Sequence, residues 1–214
     1  MDPELKVYVS LRFLFAIVAS FALYFTGTYD TLASSFRYGS FQVISAMTTT
    51  GFTTASFYTW PGFLPVLLIC IAFIGGCAGS TAGGMKVYRI ILLYRQSLRE
   101  IRRLIHPHAV IQIKIGGQRT SDTVISAVWG FFFLYIANFA VMTMMLTATG
   151  LDAETSYSAV GACITNMGPA LGLAGSNYAS LNDPAKLILS FAMLLGRLEI
   201  YTLLVILSPA FWRD

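Results

Sequence analysis

Thr48-Thr49-Thr50-Gly51-Phe52 interrupts an otherwise apolar stretch of chain, and the reading of this interruption decides the fold. It follows a segment, 34–47, that reads as a short helix, and it precedes a long apolar run. Thr165-Asn166-Met167-Gly168-Pro169 repeats the arrangement, with Gly168 standing 117 positions after Gly51. In lipid, polar and non-helical backbone survives only where protein buries it or water reaches it. Two such breaks suggest two walls of one pore.

The rest of the chain supplies the membrane. Hydrophobic residues make up 56% of the 214 and charged residues 11%, too few charges to cover a soluble protein of this size. A spanning helix needs about 20 mainly apolar residues. Four stretches come near that: 7–26, 62–76 with its glycine-rich extension, 123–148 and 184–211. Asp2 and Glu4 precede the first run and no small-residue cleavage site closes it, so it reads as a mature span, not a signal peptide. The opening, Met1-Asp2-Pro3-Glu4-Leu5, resembles an interdomain linker, which leads to the expectation of a C-terminal fragment, natural or engineered. Cys70, Cys77 and Cys163 fall in apolar segments without ligand-like spacing and read as inert thiols.

Charge gives the orientation. Lys86, Arg89, Arg95, Arg99, Arg102, Arg103, Lys114 and Arg119 account for eight of the 14 basic residues. The positive-inside rule places 86–120, and with it both termini, in the cytoplasm. Segments 27–60 and 150–183 then face outward. The basic run lacks the aromatic interleaving of a nucleic-acid face and reads as a surface for anionic lipid or a partner protein. His106 and His108 flank Pro107 without a third ligand and read as solvated loop residues.

Sliding the sequence on itself by 117 positions sets Thr48 on Thr165, Thr49 on Asn166, Thr50 on Met167 and Gly51 on Gly168. Each half reads as span, short helix, polar loop, span. The fold expected is an all-α membrane protein with two repeats of transmembrane helix, re-entrant pore helix and filter loop, transmembrane helix. The first repeat covers 1–105, with an amphipathic helix from Met85 to Ile105. A cytoplasmic linker follows at 106–120, and the second repeat covers 121–214. The short helices, 34–47 and 152–164, are too short to cross. Ser34 or Ser35 is expected to cap the first; Asp152, with Thr155 three residues on, starts the second.

A loop of this kind suits a cation. The short helix directs the negative end of its dipole into the membrane. The backbone that follows offers carbonyls that can replace a hydration shell. Gly51 and Gly168 permit the positive φ that lets successive carbonyls face one axis. Thr48 and Thr165 can add hydroxyl oxygens at the inner end. The bland alternative is a pair of ordinary loops between packed helices.

Ser45-Ala46-Met47-Thr48-Thr49-Thr50-Gly51-Phe52-Thr53-Thr54 and Gly75-Gly76-Cys77-Ala78-Gly79-Ser80-Thr81-Ala82-Gly83-Gly84-Met85-Lys86 resemble the third repeat of the TrkH/TrkG/KtrB potassium uptake family. Thr165-Asn166-Met167-Gly168-Pro169 and Leu195-Gly196-Arg197-Leu198-Glu199 resemble its fourth repeat. The likeness runs over nearly the whole chain. It implies potassium held by the backbone carbonyls of Thr49, Thr50, Asn166 and Met167, in a pathway that family members build from four such repeats. It also implies an inner-membrane location, a dimer and a cytosolic nucleotide-binding ring, TrkA or KtrA, for which 86–119 is a docking face. Any nucleotide would belong to that ring, because no fingerprint for one occurs here; the chain itself needs no cofactor.

The five glycines of 75–84 (Gly75, Gly76, Gly79, Gly83 and Gly84) with Ser80 and Thr81 fall midway along the second span. Each glycine costs a helix roughly 0.8–1.0 kcal/mol relative to alanine, so a break is expected there. The resemblance implies a flexible intramembrane loop that restricts ion flow beneath the filter. Two rival readings are a phosphate loop, which fails because Met85 stands where lysine is needed and no strand precedes, and a Gly-xxx-Gly helix-packing motif at Gly75, Gly79 and Gly83. Arg197, near mid-span, aligns with Ser80 at the repeat offset. A charge there faces a cavity or a partner. Glu199, two residues on, does not share its helical face. Arg197 is therefore expected to present positive charge to the pathway and to donate hydrogen bonds to loop carbonyls. The resemblance gives the matching arginine that constricting part; an ion pair with another helix is the alternative. Arg12 is expected to snorkel and Asn138 to bond between helices.

Two loops supply half a filter, so the chain is expected to join an N-terminal half or a second copy. A non-conducting accessory or structural membrane subunit is the alternative of a different class. An intramembrane serine hydrolase at Ser80 fails for want of a base, so no enzyme is expected.

Overall fold

The computed structural model describes residues 3–107, 109, 111–198, 201, 202, 205 and 209–212; His108 and Glu199 lie outside them. Seven helices carry the described chain: α1 (Pro3–Phe25), α2 (Leu32–Met47), α3 (Leu64–Ile74), α4 (Val87–Ile105), α5 (Asp122–Ala148), α6 (Ala153–Ile164) and α7 (Asp183–Arg197). A two-stranded antiparallel hairpin, β1 (Lys114–Ile115) with β2 (Gln118–Arg119), sits in the linker. Its turn is Gly116-Gly117, both at positive φ, the residue pair that a tight two-residue hairpin turn favours. The chain is an all-α protein, as the sequence leads one to expect.

α1 and α5 are long and apolar enough to cross a membrane. Their outer faces are hydrophobic: Phe13, Ile17 and Phe21 on α1, and Phe133, Val141 and Met144 on α5, are all exposed. A contiguous apolar exterior suits lipid as solvent. The inner face of α1 uses small residues, Ala16, Ala19 and Ser20, followed by Leu23. A Cβ on Gly39 of α2 would lie 3.2 Å from the Ser20 amide nitrogen. The two backbones therefore approach closely, the packing that membrane helices use in place of a hydrophobic drive.

α6 is buried almost from end to end between α3, α5 and α7. Gly161 lets Ile69 and Phe73 of α3 press against it at 3.1 and 3.2 Å from where a Cβ would stand. Phe73 in turn meets Tyr135 and Phe139 of α5 edge-on, with ring centroids 5.9 and 5.2 Å apart. This cluster fixes the second short helix relative to the first repeat.

Several local expectations need correction. Thr31 caps α2, not Ser34 or Ser35: its hydroxyl accepts the Ser34 amide, and the helix begins one turn earlier than the serines would have set it. Asp152 does cap α6, accepting the Thr155 amide at 2.9 Å. That bond holds the Asp152 carboxyl below the usual carboxylate range. Asn138 bonds within its own helix, to the Leu134 carbonyl at 2.7 Å, and not between helices. Arg12 lays its guanidinium over the Tyr8 ring at 5.4 Å. α4 starts at Val87, two residues after Met85.

The two halves diverge in their final helices. α3 stops at Ile74, where Gly75 takes φ +70°, and the chain from 75 to 86 contains no helix. The matching stretch of α7 stays helical through Arg197. With no helix over 75–84, the Gly-xxx-Gly packing reading has nothing to act on.

Candidate ion-coordinating site

The two polar loops are built alike, bond for bond. The Thr48 amide donates to the Ile44 carbonyl, Thr49 to Ala46 and Thr50 to Ser45. At the 117-residue offset Thr165 donates to Gly161, Asn166 to Cys163 and Met167 to Ala162. The two threonine hydroxyls repeat each other as well, Thr48 to the Ile44 carbonyl at 2.7 Å and Thr165 to Gly161 at 2.8 Å. Each hydroxyl spends its hydrogen on its own helix; that of Thr48 then accepts from the Thr50 hydroxyl at 2.6 Å, a bond that Met167 cannot repeat opposite Thr165.

Backbone conformation also repeats. Gly51 and Gly168 take φ of +76° and +99°, where sequence reasoning expects it of glycine. Thr49 and Asn166 do so too, at +51° and +56°. Asparagine tolerates that region; a β-branched threonine does not, and the left-handed region costs a non-glycine residue roughly 1–2 kcal/mol. The same left-handed backbone in both loops, strained at Thr49, marks a conformation that the surroundings over-determine. Thr49 is held by its hydroxyl, which accepts the Gly83 amide at 2.8 Å. The Asn166 amide nitrogen donates to the Met193 carbonyl at 3.4 Å.

Among the described residues, no donor reaches the carbonyl oxygens of Thr48, Thr49, Thr50, Gly51, Thr165, Asn166 or Met167. Thr165 and Met167 are buried. Buried carbonyls are nearly always paired, so a run of acceptors without donors is a ready set of cation ligands. The loops also abut: a Cβ on Gly51 would lie 2.1 Å from the Met167 oxygen. Only glycine permits that contact.

The loop ends open on different cavities. Beyond the glycine ends, Gly51, Thr54, Gly168, Asn177 and Tyr178 line a space of about 520 Å³. At the threonine ends the segment 75–86 closes in. A Cβ on Gly83 would stand 1.8 Å from the Thr165 oxygen. Here a second cavity, of about 290 Å³, is lined by Thr81, Gly83, Lys86, Tyr135 and Arg197. The Arg197 guanidinium donates to the Thr81 carbonyl at 2.9 Å, and the Lys86 ammonium donates to the carbonyls of Ser80, at 2.7 Å, and Ala82. Gly196 lies against the Ile164 carbonyl, 2.0 Å from where its Cβ would be.

Of the sequence-singled residues, Thr49, Thr165, Gly83, Thr81 and Arg197 come together through these contacts. Gly75 packs against the Gly83 carbonyl and Gly84 against that of Ala72, while Gly76 lies under Ser80 and Ala82. Gly79 has open space around it. Several supporting residues escaped sequence reasoning. Tyr178 donates its hydroxyl to the Gly168 carbonyl at 2.5 Å. Thr155 and Ser158 accept the amides of Leu173 and Leu171, each at 3.0 Å, and so brace the chain that leaves the second loop. Hydroxyls spaced three residues apart on a short helix, Thr155 and Ser158, were the available signal. Among the described residues, no cluster of three metal-ligating side chains occurs.

Comparison with known proteins gives the family. Residues 5–213 match the family model for TrkH, described as a cation transport protein. The potassium uptake protein TrkH of Salmonella typhimurium is 46% identical over all of this chain and 44% of its own length. That of Halomonas elongata is 50% identical over 99% of this chain and 44% of its own. The crystal structure of the potassium transporter TrkH from Vibrio parahaemolyticus superposes with a TM-score of 0.93 at 48% identity, covering 99% of this chain and 45% of that one. The chain thus spans less than half the length of these relatives. It is a membrane protein, and it belongs to the TrkH family of cation transport proteins.

Proposed function

We propose that this chain forms half of a potassium-conducting pathway. The backbone carbonyls of Thr49, Thr50, Asn166 and Met167 would coordinate the dehydrated ion, with Thr48 and Thr165 at the inner end and Gly51 and Gly168 at the outer. The observation that carries this reading is the pair of matching loops, alike in backbone conformation and lined by carbonyls without donors. Potassium as the ion follows from the relatives, whose names are those of potassium uptake proteins. The two repeats, 1–105 and 121–214 with the linker 106–120 between them, supply two sides of the ring. The remaining sides come from an N-terminal half or a second copy of the chain.

The segment from Gly75 to Gly84 acts as a gate. It enters beneath the threonine ends of both loops, and Arg197 adds a positive charge at the same depth. A guanidinium beside the pathway repels cations strongly where dielectric screening is weak. Release of the Thr81–Arg197 bond and withdrawal of Gly83 from Thr165 would open the route. The basic segment 86–119 faces the cytoplasm of a bacterial inner membrane, with both termini on the same side. It offers a docking face to a cytosolic nucleotide-binding ring of the TrkA or KtrA kind, and the assembly is a homodimer. The test is potassium flux through the complete transporter carrying Arg197→Ala. Flux should rise in the absence of any activating partner; unchanged or lower flux would refute a barrier role for Arg197.

A further inference from the structure

Glu4 is a buried carboxylate in the first turn of α1, far in sequence from the loops and the gate. Its Oε1 accepts the amide of Ala78 at 2.6 Å and that of Tyr88 at 3.2 Å. Ala78 lies within the first limb of the glycine-rich segment, between Gly76 and Gly79. Tyr88 lies in the first turn of α4, just after that segment ends. One oxygen therefore joins both limbs of the segment and ties them to a helix that crosses the membrane.

The position matters for α4 as well. Its N-cap residue, Lys86, makes no side-chain cap and takes φ +73°. A helix start leaves amides without intrahelical partners. Here the Val87 amide goes to the Gly76 carbonyl at 3.0 Å and the Tyr88 amide goes to Glu4. A carboxylate at a helix N-terminus also meets the favourable end of its dipole. Glu4 thus caps α4 from another helix, and the same atom pins the gate segment.

The segment is fastened at both its tip and its base. At its tip, Gly83 meets Thr49 and Thr81 meets Arg197. At its base, Glu4 holds Ala78 against Tyr88. The base bonds, with those from Val87 to Gly76 and from Met85 to Phe73, set the register of the limbs on which the tip bonds depend. We infer that Glu4 is a positioning residue of the gate, holding the 75–86 segment beneath the filter. This rests on the gating role proposed above for that segment and deepens it.

The test uses the complete transporter containing this chain, reconstituted in vesicles, with Glu4→Ala and the milder Glu4→Gln. Two readouts are taken. The first is potassium flux without an activating partner. The second is the rate at which a water-soluble maleimide labels Cys77, which is partly exposed and adjoins Ala78, with Cys70 and Cys163 replaced by alanine. Hydrogen bonds to a charged group are the strong ones, so Glu4→Ala should raise both readouts by roughly tenfold. Glu4→Gln keeps an oxygen acceptor and should give a smaller rise in both. Unchanged labelling in the two variants overturns the inference. Faster labelling without greater flux overturns it too, because Glu4 would then brace α4 alone. Arg197→Ala in parallel separates the two levels: a rise there with none at Glu4 leaves the gate standing without this fastening, and no rise at either removes the gate itself.

Discussion

Gly83→Ala is the sharpest perturbation the geometry offers. The alanine Cβ would stand 1.8 Å from the Thr165 oxygen and 2.7 Å from its carbonyl carbon. An ordinary contact between such atoms is about 3.3 Å or more, so the segment must withdraw by about 1.5 Å. Thr165 cannot yield instead, because its amide and hydroxyl are both anchored on α6. Withdrawal by that distance takes the 2.8 Å bond from the Gly83 amide to Thr49 out of range. Overpacking costs about 1–3 kcal/mol, and a lost hydrogen bond about 0.5–1.5 kcal/mol. The arrangement in the structure is thus destabilised by about 1.5–4.5 kcal/mol, and under the proposed gating role potassium flux in the complete transporter should rise at least about tenfold. Gly79→Ala is the comparison: its Cβ has open space, and its φ of +78°, which Gly83 does not share, strains the alanine backbone without driving the segment off Thr165, so its effect on flux should be smaller. Rubidium uptake into vesicles measures both. Flux through Gly83→Ala equal to or below that of the unaltered protein, at equal vesicle content, would refute the placement of this segment across the pathway.

Other outcomes follow from single contacts. Tyr178→Phe removes the donor to the Gly168 carbonyl and should lower the potassium-to-sodium flux ratio while leaving the protein folded. Asp152→Ala removes the α6 cap and should lower stability by about 1 kcal/mol, read from thermal unfolding in detergent. The same carboxyl titrates below its ordinary range when folded, so its contribution is present above about pH 4 and is lost as pH falls through the folded value; the Asp152→Ala protein should lose this acid-side dependence. Arg99 is buried and bonds to Asp122 at 2.8 Å across the α4–α5 contact. Asp122→Ala should therefore loosen α4 more than Arg99→Met, because it leaves the buried guanidinium only its longer ion pair with Glu100, at 3.7 Å; faster tryptic cleavage between Arg95 and Arg103 reports it.

The periodic features of this fold were legible in the sequence. The 117-residue repeat, the two short helices, the break at Gly75 and the alignment of Arg197 with the glycine-rich segment all follow from pattern and spacing. The break was visible because five glycines sum their helix penalties over ten residues. What escaped has a common cause: it depends on long-range contacts that local pattern does not encode. Thr49 and Asn166 adopt a backbone region that their side chains disfavour, and only the packing of Gly83 and Met193 around them explains it. Glu4 reads from sequence as a charge before a span, yet it reaches partners 74 and 84 residues away. The hairpin at 114–119 is different, because Gly116-Gly117 carried a local signal that the linker reading passed over.

The central claim is that the carbonyls of the two loops select potassium, and the most direct measurement is the potassium-to-sodium flux ratio of the complete transporter, unaltered and with Gly51→Ala. A Cβ at Gly51 meets the Met167 oxygen at 2.1 Å on a backbone of φ +76°, so it must displace a proposed ligand directly. The unaltered protein should prefer potassium strongly, and the variant should lose that preference. A ratio that survives Gly51→Ala unchanged would contradict the claim.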